Sequence, residues 1–475
     1  MNTKLLKQKI LDLAIRGKLV PQDPNDEPAS ELLKRIRAEK EKLIAEGKIK
    51  RSKKAGDKPH YENENVPFEI PASWEWVRLD DYAAKITDFV ASGSFASLRE
   101  NVHYYKEENY AILVRTADFG SNFQKDLVYL DKQGYDFLSN SNLVGGELIL
   151  PNIGASIGKV FIVPQLHKPM TLGPNSILIR TYIEEMTKYL YFVFSSSWGF
   201  DLLHDISSAT AQGKFNKTDL KNIFLPIPPI EEQRRIIQSI NLWLAQIDNI
   251  DANKADLLYA IQQTRYKVLD LALHGQLVSQ DPNDEPAVEL LKRINPNAPI
   301  CDTSHYGNLP KSWCICKLKD VFDITMGSSP TGDSLNNKHE GMEFHQGKLC
   351  FSELYLNKSE IYTDSPTKLA EKHSILLCVR APVGVINITE REICIGRGLC
   401  SLKPKNGIDF MFAFYALQTH KKHFEANATG TTFKAIGGDT IRNEMFALPP
   451  YDEQVRIRKK IESLFYELDL ISAEL

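Results

Sequence analysis

The chain has 475 residues, enough for two or three domains, and its 43% apolar and 25% charged residues suit a folded, water-soluble protein. A net charge of −3 excludes a uniformly basic nucleic-acid binder, so any surface that grips DNA must gather its basic residues on one face. The seven cysteines all lie between Cys301 and Cys400 with no Cys-x-x-Cys pair; they exclude a disulfide framework or zinc knuckle and predict reduced thiols in a cytoplasmic protein.

No stretch reads as a secretory signal or as a membrane span. In chain order, residues 11–36 (LDLAIRGKLVPQDPNDEPASELLKRI) come first, and Lys34-Arg35-Ile36 continue into a basic helix with a stop near Gly47. Between Lys34 and Lys54, ten Lys/Arg face three Glu, a run that also suits a solvated helix end leading into a tether. Pro71-Ala72-Ser73-Trp74-Glu75-Trp76 marks the entry to a variable block. There 110–117, 146–151, 159–164 and 175–181 read as strands bounded by Gly, Pro and Asn, and 184–196 reads as a helix. An apolar run from Phe224 to Ile227 leads into Pro228-Pro229-Ile230-Glu231-Glu232-Gln233, with proline at a helix start where no backbone N–H is needed.

From Glu231 to Ala272 there is neither Gly nor Pro. Ile237, Ile240, Leu244 and Ile247, then Leu258, Ile261 and Val268, follow a 3–4 spacing that predicts a coiled-coil seam along a rod of roughly 60 Å, although Asp251, Lys254 and Arg265 interrupt it. Gly275 is the expected stop, Asp281-Pro282-Asn283-Asp284 is turn chemistry, and Pro286 opens a short helix. Pro310-Lys311-Ser312-Trp313 enters a second variable block, with strands expected at 373–379, 383–388 and 398–403 and helix near 409–425. Met445 to Leu448 then lead into Pro449-Pro450-Tyr451-Asp452-Glu453-Gln454 and a last helix.

Residues 269–294 match 11–36 at twenty-one of twenty-six positions, which marks a duplication. PPIEEQRRII at 228–237 is echoed by PPYDEQVRIR at 449–458. Inside the variable blocks only echoes survive: 146–150 with 373–377, 157–160 with 383–386, 172–176 with 395–399, and Thr210–Phe215 with Thr429–Phe433. The C-terminal piece matches the start of the central block and the N-terminal piece matches its end. Joined, the termini would rebuild one central block, so the chain can close as a pseudo-twofold ring. The expected fold class is α+β: two mixed α/β domains separated by a long antiparallel helical coiled-coil stalk, with a pseudo-twofold internal repeat. The expected segments are 1–60 (shared helical), 61–226 (first variable domain), 227–300 (central shared helical), 301–448 (second variable domain) and 449–475 (shared C-terminal helix).

Enzyme signatures fail on their chemistry. Gly154-Ala155-Ser156-Ile157-Gly158-Lys159 has three residues between its glycines where a phosphate loop has four, and Val160 where Ser or Thr must hold magnesium. Leu448-Pro449-Pro450-Tyr451 echoes an amino-methyltransferase motif, but a leucine cannot hydrogen-bond a target amine. There is no His-Glu-x-x-His and no spaced Cys/His set, so no metal site is expected.

On the Pro-Pro-x-x-Glu-Gln-x-x-Ile elements (Pro228 to Ile236, Pro449 to Ile457), the twin 11–36 and 269–294 segments, the Ser-Trp entries at Trp74 and Trp313, and the two-block layout, the chain resembles the specificity (S) subunit of Type I restriction-modification systems along its whole length. The resemblance implies a non-catalytic host-defence subunit. Each variable block is then a target-recognition domain that reads half of a split, asymmetric sequence in double-stranded DNA, and the helices are a ruler for the unread spacer. It also implies two methyltransferase (M) subunits that flip out and methylate adenine with S-adenosylmethionine, and two motor-nuclease (R) subunits driven by ATP and Mg. Those cofactors belong to the partners; none is expected on this chain. Two dissimilar readers facing one side of a duplex should have half-site centres about 10 bp apart.

Base readers need Arg, Lys, Asn or Gln in loops, and phosphate contacts need Lys or Arg. The candidates are Arg115, Lys159, Lys214 and Lys217 in the first domain, and Gln346, Lys348, Arg380, Arg397 and Lys434 in the second. Three rival readings remain at this stage: a stand-alone DNA-binding regulator, a coiled-coil adaptor that binds protein, and an unusual enzyme.

Overall fold

The structure is a computed structural model that describes residues 2–47, 66–207, 213–301, 309–430 and 434–475. Residues 48–54 of the basic run, the expected boundary at 60–61, Thr210 and residues 431–433 lie outside them. The chain divides into two units, Met1–Ala252 and Asn253–Leu475, so the division falls inside the central helix.

In the first unit, α1 (Thr3–Ile15) is capped by the Asn2 side chain, which accepts from the Leu5 amide at 3.0 Å. Two residues past its end Gly17 takes φ 67°, where a Cβ would also lie 2.4 Å from Pro71, so both backbone and neighbour require glycine. After the Asp23–Asp26 turn comes α2 (Ala29–Ala45). The helix α3 (Ile230–Leu273) has 44 residues, and its first part completes this unit. α1 runs antiparallel to it: Lys7 reaches Asp248 at 2.6 Å, while Gln22 reaches Glu232 at 2.6 Å. Ile10, Leu11, Ala14 and Ile15 share a core with Ile236, Ile237, Ile240 and Ile247, with Leu244 half-buried against it.

The variable block leaves this frame and returns to it through one antiparallel pair, β1 (Glu75–Arg78) against β10 (Phe224–Ile227), with Trp76 opposite Pro226. Strands β2 (Lys85–Asp88), β6 (Leu148–Pro151), β7 (Phe161–Ile162) and β9 (Ser176–Arg180) form a sheet in the order β2-β9-β6-β7. Strands β3 (Ala111–Val114), β4 (Tyr129–Leu130), β5 (Asn142–Leu143) and β8 (Met170–Leu172) form another, β4-β3-β8-β5, in which β3 and β8 are parallel. The first sheet packs with helix Glu184–Ser195 on the core that holds α1 and α3. The second has a smaller core around Ile112, Val114 and Leu172.

The second unit repeats this plan. The last part of α3 and α4 (Ala287–Ile294) stand where α1 and α2 stand, and α5 (Tyr451–Glu474) stands where the start of α3 does. β11 (Cys314–Lys317) pairs with β21 (Met445–Leu448). β12 (Phe322–Met326), β17 (Ser374–Cys378), β18 (Ile386–Thr389) and β20 (Leu399–Pro404) are ordered β12-β20-β17-β18. β13 (Leu335–Asn336), β14 (Met342–His345), β15 (Tyr362–Thr363), β16 (Leu369–Ala370) and β19 (Ile393–Ile395) are ordered β13-β15-β14-β19-β16, again with one parallel pair, β14 and β19. α5 is antiparallel to α3: Gln280, beyond the end of α3, meets Glu453, while Arg265 pairs with Asp469.

Along α3, Ile261 and Val268 are buried, within the same unit as α5. Leu258 is 41% exposed: three residues before Ile261, it stands at the edge of the buried face and not at its centre. The cysteines are free. Cys314, Cys316, Cys378, Cys394 and Cys400 are buried, and Cys301 and Cys350 half-buried. Burial pushes the thiols of Cys314, Cys378 and Cys400 up to about 12. No described helix is long and apolar enough to cross a membrane.

Candidate nucleic-acid interface

The repeated motifs build a polar lock in each unit. Glu232 is buried at the start of α3 and accepts from Trp74 Nε1 at 2.8 Å and Gln22 Nε2 at 2.6 Å. Burial pushes its carboxyl up, against those two hydrogen bonds. Next to it, Gln233 donates to the Pro228 carbonyl and accepts from Tyr82, and Arg235 grips Asp26 in a two-pronged pair at 3.1 and 2.6 Å. The second unit repeats three of these contacts, Gln280 to Glu453 at 2.6 Å, Gln454 to the Pro449 carbonyl at 3.0 Å, and Arg456 to Asp284, while the Asp409 amide takes the place of Tyr82 as donor to the glutamine oxygen at 2.8 Å. Trp313 stands beside Glu453 as Trp74 does beside Glu232, but its indole nitrogen is not placed for a good hydrogen bond. The lock accounts for the Glu-Gln of each Pro-Pro element, the Ser-Trp entry and the Gln-Asp-Pro-Asn-Asp turn. These residues hold the frame.

The candidate reading surface lies at the far strand ends. In the first unit the chain leaves β6 through Asn152, Ile153 and Gly154. Asn152 exchanges hydrogen bonds with Phe215, its Nδ2 donating to the Phe215 carbonyl at 2.8 Å, and Ile153 bridges Lys214. The phosphate-loop lookalike is a turn at Gly154–Ser156 that runs on to β7, with no helix after it to receive a phosphate. In the second unit the same junction joins Arg380 to Ala435, and the Ala381 amide donates to the Lys434 carbonyl at 3.2 Å. Gly173 bonds the Val114 carbonyl as Gly396 bonds that of His345, so Arg115 and Gln346 hold equivalent positions just after the parallel strands.

The fold therefore gathers Gln346, Arg380, Arg397 and Lys434 on adjoining loops in one unit, and Lys214 near Asn152 and Gly154 in the other. Lys159, Lys214, Lys348, Arg380, Arg397 and Lys434 are exposed and make no ion pair among the described residues. Arg115 and Lys217 are engaged within the protein. Arg115 forks onto buried Asp118 and donates to the Asp126 carbonyl at 2.6 Å, and Lys217 pairs with Asp88 at 3.0 Å.

Two polar features escaped the sequence reading. Ser329 hydrogen-bonds Gln346 at 2.8 Å; the Gly-Ser-Ser-Pro run at 327–330 was the available signal for a loop there. Behind that loop, buried Glu343 accepts from Arg391 Nε and Nη2 at 2.6 Å, from the Ser359 amide and from His345. Burial alone would raise the Glu343 carboxyl, but Arg391 and these donors hold it down at about 2, while burial lowers His345. A cleft of about 900 Å³ in this unit is lined in part by buried Glu444, which bonds Nδ1 of both His420 and His423 at 2.8 Å. No group among the described residues is arranged to hold a metal.

Comparison with known proteins places these features in context. The family model described as the Type I restriction modification DNA specificity domain matches residues 73–259 and 310–475. The putative type I restriction enzyme MjaX specificity subunit of Methanocaldococcus jannaschii is 28% identical over 403 residues, covering 83% of this chain and 88% of that one. The EcoEI specificity subunit of Escherichia coli is 26% identical over 559 residues, covering 99% and 90%. Among solved structures, the HsdS subunit from Thermoanaerobacter tengcongensis superposes with TM-score 0.53 at 22% identity, covering 86% of this chain and 93% of that chain. A chain from a study of assembly and conformational transition of the type I R-M system gives TM-score 0.57 at 21% identity, covering 86% and 94%.

Proposed function

The chain belongs to the Type I restriction-modification DNA specificity family, and on that premise we propose that it reads a bipartite, asymmetric DNA target, one half-site per unit. It does so as a non-catalytic subunit in the cytoplasm, holding methyltransferase and motor-nuclease subunits that carry S-adenosylmethionine, ATP and Mg. The observation that carries the reading is one frame built twice around unlike loops. The locks at Glu232 and Glu453 share three contacts, while the junctions at Ile153–Lys214 and Arg380–Ala435 carry different side chains. Identical readers would suit a palindrome; unlike readers on like frames suit two unrelated half-sites.

The long helix α3, which contributes to both units, is then the element that sets the spacer. Lys159, Lys214, Lys348, Arg380, Arg397 and Lys434 supply phosphate or base contacts. The test is to insert one helical turn within Glu231–Ala272 and map methylated adenines in cells carrying this chain and its partner. The expected result is a longer spacer with both half-sites unchanged. Altered base preference at fixed spacing would refute the ruler. Specific duplex binding without any methyltransferase bound would favour a stand-alone regulator.

A further inference from the structure

The loop after β14 presents an amide built for reading. Gln346 is exposed, yet its side chain is pinned. The Ser329 hydroxyl donates to Gln346 Oε1 at 2.8 Å, and the Ser329 oxygen itself accepts from the Arg397 amide at 3.3 Å. The side chain lies across a glycine floor: a Cβ on Gly396 would come within 2.4 Å of Oε1, and one on Gly398 within 2.3 Å of the Gln346 carbonyl. No other side chain would leave room for this pose at either position. The Gln346 amide nitrogen makes no hydrogen bond among the described residues, which leaves the two N–H groups of this exposed side chain available as donors. Oε1 retains a second lone pair.

One free donor edge beside one free acceptor is the pattern that pairs with adenine, whose N7 accepts and whose 6-amino group donates in the major groove. The equivalent residue in the first unit, Arg115, is tied to Asp118 and the Asp126 carbonyl, so the presentation is particular to the second unit. Farther along the same loop Lys348 is exposed, and Leu349 is 94% exposed, so the loop tip is covered by nothing of its own unit.

We propose that Gln346 reads an adenine in the second half-site and that Ser329 is its positioning residue. This rests on the DNA-reading function proposed above. The test uses the full chain expressed with its methyltransferase partner in a host free of adenine methylation, with modified sites mapped across the genome. The wild-type chain defines the motif. Gln346→Ala should relax one A·T pair of one half-site, with modification of the disfavoured bases there rising about tenfold or more and the other half-site unchanged. Ser329→Ala should relax the same pair to a smaller extent. Gln346→Glu, of equal size but lacking the N–H donors, should shift that pair towards cytosine on the contacted strand and covers the case of a poorly folded alanine variant. An unchanged motif in both Gln346 variants, or relaxation only at a G·C pair, would overturn the assignment. A wild-type chain that yields no bipartite motif would instead refute the DNA-reading function itself.

Discussion

The two units share a frame and differ in what they hang on it. Both close their variable block with one strand pair, both cross α-helices antiparallel, and both bury a glutamate beside a tryptophan. Past the frame the chemistry parts. Where the second unit buries Glu343 with Arg391 and His345, the equivalent strand of the first unit carries Ile112, Leu113 and Val114. Where the second has Glu444 between two histidines, the first has Ile223, which bonds the Leu79 amide as Glu444 bonds that of Leu318. The difference teaches that residues answering to two copies of one template are held fixed, whereas residues answering only to their own sheet drift between apolar and polar solutions.

The largest test of that contrast is Arg391→Ala. It strips the partner from a buried carboxylate and should destabilise the second unit by about 3–5 kcal/mol. Hydrogen exchange should show lost protection in 309–430 and none in 66–207; equal loss in both would break the contrast.

A pH series comes next. Glu343 sits at about 2, below its unfolded value near 4.5, so its contribution is present above 4.5 and lost as pH falls towards 2. That amounts to about 3 kcal/mol, and the stability gap between wild type and Glu343→Gln should close over this range. Glu232 and Glu453 have the opposite sign. Their carboxyls are raised in the fold, so protonation favours the native state, and that contribution fades as pH climbs through their folded values.

Trp74→Phe against Trp313→Phe is subtler, since both remove the same volume from a buried site. Trp74 also loses a 2.8 Å hydrogen bond to Glu232, so it should cost about 1–2 kcal/mol more in urea melts. Smallest should be Arg235→Lys and Arg456→Lys, which break two-pronged pairs in each unit for about 1 kcal/mol apiece; unequal losses would mean the frames are not equivalent.

Much of this was legible in the chain. Helix α3 was expected at Glu231–Ala272 and stands at Ile230–Leu273, because an unbroken 3–4 pattern without Gly or Pro leaves few alternatives. Strands at 146–151, 175–181 and 373–379 were found because their centres are buried apolar runs. The closing pairs β1–β10 and β11–β21 and the two-residue strands other than β7 were not. Such segments are too short to show a period, and their pairing is set by partners distant in sequence. Candidate contact residues were only partly legible. Composition picked out Arg115 and Gln346 alike, but it took neighbours three or seventeen residues away, Asp118 and Ser329, to separate a guanidinium turned inward from an amide left free to donate.

Burial of the sulfurs has a practical consequence. With every cysteine at or beyond position 301, a thiol reagent is blind to the first variable block. Under native conditions it meets the half-buried Cys301 and Cys350, and it reaches Cys314, Cys316 and Cys400 only when the core they share opens. The slow phase of labelling is thus a built-in clock for the breathing of one recognition domain, with no engineered probe and no signal from the other.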